Sequence, residues 1–197
     1  MIKRIFDFLA SGIGLVILSP VFLILIIIIK VSAPGPAFYI SERIGKNGKA
    51  FKLFKFRSMV INADKMGGPS TANDDPRLTK IGNFLKKYQL DELPQLINVF
   101  LGDMSLVGPR PEVRMYVDMM TPEEKSAILS VRPGMTDWAS LWNFHEGEIL
   151  QGATDPEKAY QELIRPEKLR LQMKYVKERS FFTDIKIIFQ TIAKVFQ

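Results

Sequence analysis

From Phe8 to Ile29 the chain carries no charged side chain (FLASGIGLVILSPVFLILIIII). As one straight helix this run would measure roughly 33 Å, enough to cross a bilayer core of about 30 Å. It is too long for the apolar part of a cleaved signal, and it ends in Lys30 rather than at a small-residue cleavage site. Ile24–Ile29 is apolar on every side, which argues against a buried core helix. The run therefore reads as membrane-inserted.

After the turn Ala33-Pro34-Gly35-Pro36, apolar positions come in short groups. Ala37–Ile40 and Ala50–Val60, joined by Gly45-Lys46-Asn47-Gly48, read as a β-hairpin, and 62–78 as a polar surface loop. Thr79 caps a helix with the apolar face Ile81, Phe84, Leu85 and Tyr88; a second helix begins near Asp91 and stops at Gly102. Thr121, Pro122 and Glu124 form a capping box for a helix over 121–130, and 156–179 reads as a charged helix. In 180–197, Phe181, Phe182, Ile185, Ile188, Phe189, Ile192 and Phe196 recur at helical spacing, with Asp184, Lys186 and Lys194 elsewhere. Such a helix either packs on the core or lies in the headgroup plane of a membrane. The expected fold is α+β and α-rich: a membrane helix over 1–32, a small β-hairpin, and interfacial amphipathic helices in one functional unit over 33–197.

Charge bears on how the helix inserts. The net charge is +6, and residues 1–57 hold nine Lys and Arg against two acidic residues, leaving the rest near neutral. Lys3 and Arg4 precede the apolar run; Lys30, Arg43, Lys46, Lys49 and Lys52 follow it. The positive-inside rule places both flanks in the cytoplasm, which one straight crossing cannot satisfy. A re-entrant helix bent at Ser19-Pro20 does, with arms of roughly 15–18 Å and the Ser19 hydroxyl available to the carbonyl that proline frees. A straight crossing with a proline kink is the alternative. Basic residues clustered beside an apolar anchor speak against nucleic acid as the partner.

The absence of cysteine excludes disulfide frameworks and thiol nucleophiles, and the single His145, read as structural or incidental, excludes a multi-histidine metal site. There is no P-loop and no GxGxxG run. Chemistry is left to carboxylates, Arg and Lys. Leu90-Asp91-Glu92-Leu93-Pro94 places two acidic residues at a helix start, where they act as caps, as a nucleophile, or as holders of one magnesium ion with substrate phosphates. Gly108-Pro109-Arg110-Pro111 and Val131-Arg132-Pro133-Gly134 each stiffen an arginine suited to phosphate, and alternation sends Lys55 and Arg57 to one strand face. Lys46, Lys49 and Lys52 read as a solvated surface.

Lys3-Arg4-Ile5-Phe6-Asp7, Lys55-Phe56-Arg57-Ser58-Met59, Asp75-Pro76-Arg77-Leu78-Thr79, Leu90–Leu96, Gly102–Pro111 and Arg132-Pro133-Gly134-Met135-Thr136 together make the chain resemble the monotopic phosphoglycosyl transferases, bacterial sugar transferases acting on undecaprenyl phosphate. The resemblance covers nearly the whole chain, in the form of the minimal catalytic domain. It implies a re-entrant helix and a catalytic domain on the cytoplasmic face of the bacterial inner membrane. It further implies transfer of a phosphosugar from a UDP-sugar to a polyprenol phosphate with magnesium (Mg2+), through a covalent aspartyl intermediate and with release of UMP. By that resemblance Asp91 is the nucleophile and Glu92 its partner in metal and proton handling. Lys55, Arg57, Arg77, Lys86, Arg110 and Arg132 become phosphate and substrate contacts. The implied partners are the UDP-sugar, polyprenol phosphate and membrane lipids, with no nucleic acid; a homo-oligomer is left open. The chain departs from many family members at Lys86, where they carry Arg, at Asp137-Trp138-Ala139-Ser140-Leu141, and near Gln172, where some carry an acidic residue.

Overall fold

In the computed structural model, which describes residues 2–195, the apolar run forms one helix, α1 (Ile2–Ser32), that continues through Pro20. Proline has no N–H to offer the Val16 carbonyl. The Ser19 hydroxyl donates to that oxygen at 2.8 Å, as the sequence suggested. Only Asp7, Ser11, Leu25 and Ile29 of α1 are buried, whereas Ile13, Val16, Ile17 and Leu23 are each more than half exposed. Apolar area left bare in water is unfavourable by roughly 25 cal/mol per Å², so this surface calls for a lipid cover.

Both ends of α1 are fastened to the rest of the molecule. At the start, Lys3 Nζ pairs with Asp184 (2.6 Å), and Arg4 donates to the Val99 and Phe100 carbonyls (2.6 and 2.8 Å). Asp7 is 2% exposed and accepts from Ser105 Oγ (2.8 Å) and the Leu106 N–H (3.1 Å). At the other end Leu25 and Ile29 pack with Ala37, Phe56 and Leu85. Arg57 closes that end by donating to the carbonyls of Ala33 (2.7 Å) and Pro34 (2.6 Å).

The hairpin forms as expected but with shifted limits: β1 (Phe38–Ile44) pairs antiparallel with β2 (Ala50–Phe56), from Phe38 opposite Phe56 to Ile44 opposite Ala50. Lys55 and Arg57 do not share a site: Lys55 reaches Glu92, whereas Arg57 turns to the carbonyls that close α1. Thr79 caps α2 (Lys80–Lys87) by accepting from the Gly82 N–H at 2.9 Å. The helix expected from Asp91 starts later. Leu90–Glu92 is a separate 3₁₀ turn, entered through Gln89 in the left-handed region (φ 53°), and α3 spans Gln95–Leu101 with Gly102 (φ 98°) as its C-cap.

The sequence reading contained no second sheet. β3 (Ser105–Val107) and β4 (Gly134–Thr136) pair in parallel, too short for periodicity to reveal. Short helices follow: α4 (Arg114–Asp118), α5 (Pro122–Ile128), α6 (Trp138–Trp142), α7 (Glu146–Ile149) and α8 (Pro156–Ala159). The capping box on Thr121 and Glu124 forms as expected. A π-turn over Tyr160–Ile164 joins α8 to α9 (Arg165–Glu178), completing the long charged helix read from the sequence.

α10 (Phe181–Val195) uses two faces. Ile187 and Asp184 are buried against the core with Tyr175, so the acidic residue lies on the packed face, while Phe182, Phe189 and Ile192 point outward at 84, 68 and 52% exposure. Phe196 lies outside the described residues.

Candidate active site

Asp91 and Glu92 sit on the 3₁₀ turn ahead of α3 and meet the hairpin because α3 is hooked to it. Asn98, fully buried, donates to the Lys52 carbonyl (2.7 Å) and accepts from the Phe54 N–H (3.0 Å). That contact aligns the end of β2 with the turn, and Lys55 Nζ reaches Glu92 Oε1 at 2.8 Å. The other cation comes through the second sheet. Gly134 donates to the Pro109 carbonyl (2.9 Å) and Gly108 to the Thr136 carbonyl (3.0 Å). A Cβ on Gly134 would stand 2.0 Å from the Gly108 nitrogen, so only glycine permits this approach. With its backbone fixed on both sides, Arg110 forms a two-pronged pair with the Glu92 carboxylate, one prong at 2.9 Å.

The two carboxylates consequently differ. Burial would raise Glu92, but Arg110 and then Lys55 outweigh it and hold the group well below the usual carboxylate range. Burial raises Asp91, with the Glu92 charge adding to it and Lys55, Lys86 and Arg110 opposing. Asp91 is 5% exposed, and its carboxylate has no hydrogen-bond partner among the described residues. Lys86, in the last turn of α2, has its ammonium pulled down by burial, Asp91 resisting. The result is one anion fully compensated by two cations, beside a second carboxylate left unengaged.

Of the expected contacts, Lys55, Lys86 and Arg110 gather at this dyad. Three do not. Arg57 fastens the end of α1. Arg77 pairs with Asp75 through Nη2 (2.7 Å) and donates to the Gly68 and Ser70 carbonyls, holding the 62–78 loop together. Arg132 is exposed and donates to the Gly102 carbonyl (2.7 Å), at the far end of α3. His145 is likewise exposed, beside Glu148 at 3.7 Å.

Behind Arg110 lies a polar layer that sequence reasoning missed. Gln172 Nε2 reaches the Arg110 carbonyl at 3.5 Å. Asp137, fully buried, caps α6 through Ser140 and is raised by burial, with Lys168 and Arg110 opposing. Lys168 pairs with Glu112 (2.6 Å) and donates to the Tyr160 hydroxyl (2.9 Å), whose own ionisation burial pushes up to about 12. The resemblance drawn from the sequence singles out 137–141 and the neighbourhood of Gln172 as departures, and that is the one signal pointing to this layer.

Among the described residues no group of three or more His, Cys, Asp or Glu is placed to hold a metal ion. The donor set does suit magnesium brought with a phosphorylated substrate. That ion binds through one or two carboxylates plus substrate oxygens, and Asp91 has its oxygens free. Glu92 would have to release Arg110 or Lys55 to join it.

A family model described as bacterial sugar transferase matches residues 1–197. The chain belongs to the bacterial sugar transferase family. It is 36% identical over 98% of its length to a UDP-N-acetylgalactosamine-undecaprenyl-phosphate N-acetylgalactosaminephosphotransferase of Aeromonas hydrophila, covering 43% of that protein. It is 37% identical over its full length to the UDP-glucose:undecaprenyl-phosphate glucose-1-phosphate transferase of Escherichia coli, covering 40% of it. The chain thus spans less than half the length of these two relatives. It spans 94% of the exopolysaccharide production protein PSS of Rhizobium leguminosarum, at 38% identity. The structure itself bears out the expected α-rich α+β fold, with its long apolar N-terminal helix and two small sheets.

Proposed function

We propose that this chain moves a phosphosugar from a UDP-sugar to polyprenol phosphate at the cytoplasmic face of a bacterial inner membrane, as the first membrane step of a polysaccharide. The observation that carries the reading is the unengaged Asp91 carboxylate beside three cations, next to an apolar helix that needs a bilayer. An Asp91 oxygen attacks the β-phosphorus of the donor, the bond to the UMP oxygen breaks, and UMP leaves. An oxygen of the polyprenol phosphate then attacks the same phosphorus, and the aspartyl–phosphorus bond breaks to release the polyprenyl diphosphosugar.

Lys55, Lys86 and Arg110 offset donor charge, while Glu92 keeps Lys55 and Arg110 in place. Magnesium, held by Asp91 with phosphate oxygens, would lower the repulsion between the aspartate and the diphosphate. The test is UMP release by the full chain in detergent with a panel of UDP-sugars, polyprenol phosphate and magnesium. Mass measurement with donor alone completes it. A phosphosugar adduct on Asp91 and release with one or more donors are expected; neither appearing with any donor defeats the reading.

Within the same reading α1 is re-entrant. Support comes from its attachment to one domain at both ends, through Lys3, Arg4 and Asp7 and through Leu25, Ile29 and the Arg57 latch. A helix crossing the bilayer would have to leave one of those attachments on the far side. Since the chain has no cysteine, single cysteines near Ile2 and at Lys46 are clean probes. Both are expected to escape a membrane-impermeant thiol reagent in intact cells; labelling of only one means a crossing helix.

A further inference from the structure

On one side of α1, the stretch from Phe8 to Ile17 and the ring of Phe100 bound an open groove of about 360 Å³ lined by no polar side chain. The Phe8 and Phe100 rings stack at 4.6 Å, and Gly12 lets Phe100 lie close, since a Cβ there would sit 3.3 Å from the ring. Cations gather at one end. Arg4 Cζ stands 5.9 Å from the Phe8 ring centre, and its guanidinium donates to the carbonyls of Val99 and Phe100. Arg4 Nη2 also borders Gly102, 3.0 Å from where a Cβ would be. On that same glycine's carbonyl Arg132 rests its Nε, and its two terminal nitrogens have no hydrogen-bond partner among the described residues. The acid nearest in sequence, Asp103, faces Asn98 at 3.5 Å.

Two guanidinium groups therefore flank Gly102 with carbonyls as their described hydrogen-bond partners, at the mouth of an apolar slot. We propose that the groove seats an acyl chain of an anionic phospholipid whose phosphate is held by Arg132 with Arg4. A guanidinium binds phosphate oxygens in paired, charge-assisted hydrogen bonds, and a chain laid on Phe8, Ile13 and Val16 covers apolar surface left bare. This lipid is not the acceptor phosphate. The site lies at the C-terminal end of α3, and Asp91 lies before its N-terminal end, about 10 Å or more away along a helix of this length. Such a lipid would act as a brace, pinning the first arm of α1 to α3, the helix that follows the Asp91 turn. The inference rests on the reading that α1 lies in a bilayer.

The test is native mass spectrometry of the full chain in neutral detergent, titrated with phosphatidylglycerol or with phosphatidylcholine of the same chain length. Wild type is expected to retain phosphatidylglycerol with about tenfold preference, a difference of roughly 1.4 kcal/mol. Arg132→Glu is expected to remove the preference. Ile13→Trp, at a position 60% exposed and so tolerant of a larger ring, is expected to fill the slot and lower retention of both lipids. No preference in wild type, or an unchanged preference in Arg132→Glu, overturns the proposal. So does displacement of phosphatidylglycerol by polyprenol phosphate, which would give the groove to the acceptor's tail. Flotation on phosphatidylcholine vesicles reads membrane insertion separately. A wild-type chain that does not float overturns the bilayer reading and the groove with it, whereas a floating chain with no lipid preference overturns the groove alone.

Discussion

Asp91→Asn is expected to lower UMP release by about a thousandfold or more while leaving the protein more resistant to heat than wild type. The first effect follows from chemistry: an amide of nearly the same shape has no anionic oxygen to attack phosphorus, and the covalent route is closed. The second follows from linkage. Burial and the neighbouring Glu92 charge raise the folded-state titration of Asp91 above the ordinary value of 3.8. A carboxyl raised in this way stabilises the fold in its protonated form. That contribution is whole below the unfolded value and is lost as pH rises through the folded one, so at neutral pH the ionised group is a burden on stability. Asparagine relieves it. Activity and thermal midpoint, measured at pH 7 on the same preparation, are expected to move in opposite directions. A variant inactive because it is unfolded would show both falling, and a variant with near-normal UMP release would remove Asp91 from the reaction.

Where the chain's chemistry was legible in advance, local rules carried it. The capping box on Thr121, the Thr79 cap, the glycine after α3 and the serine beside Pro20 depend on residues within four positions of one another, and each forms as read. The acids and cations that meet at the dyad are marked by separate signals: Asp91 and Glu92 by a helix start, Lys55 by strand alternation, Arg110 by its flanking prolines, and Lys86 by the family resemblance alone. What the local rules could not supply was partner choice over distance. Arg57, Arg77 and Arg132 carry the charge that phosphate needs, but a guanidinium serves equally well as a clasp on backbone carbonyls. Nothing local tells which carbonyls will fold beside it.

Asp7 shows the same limit. At the edge of an apolar run it reads as a flank, and its partner Ser105 is 98 positions away. The β3–β4 pair, three residues a strand, offers no periodic signal, yet it determines where Arg110 points. Asn98 was unreadable too, because a buried amide looks in sequence like any helix residue.

Glu92→Gln tests whether that carboxylate acts through its cations. Glu92 compensates Lys55 and Arg110 together, with side-chain exposures of 14, 21 and 29% for the three groups. Gln keeps the shape and one hydrogen-bond acceptor but leaves two enclosed positive charges without the carboxylate that pairs with both. The expected loss of stability is about 3 kcal/mol, the scale for removing one partner of a buried pair. It has a pH signature. Glu92 titrates below its ordinary 4.5 in the folded chain. Its stabilisation is therefore complete above that value and is lost as pH falls through the folded one. Wild type and variant are expected to differ most near neutrality and to converge in strong acid. The rate signature is separate. With a like charge gone and two cations released toward it, Asp91 ionises more readily, so the acid limb of UMP release shifts to lower pH. Its oxygens, now engaged by Lys55 or Arg110, attack less readily, and the plateau falls by about a hundredfold, comparable to the loss of a positioned catalytic partner. A lowered plateau with an unmoved acid limb would mean that Glu92 is not an electrostatic neighbour of the nucleophile, and the division of the pair into one engaged and one free carboxylate would fail.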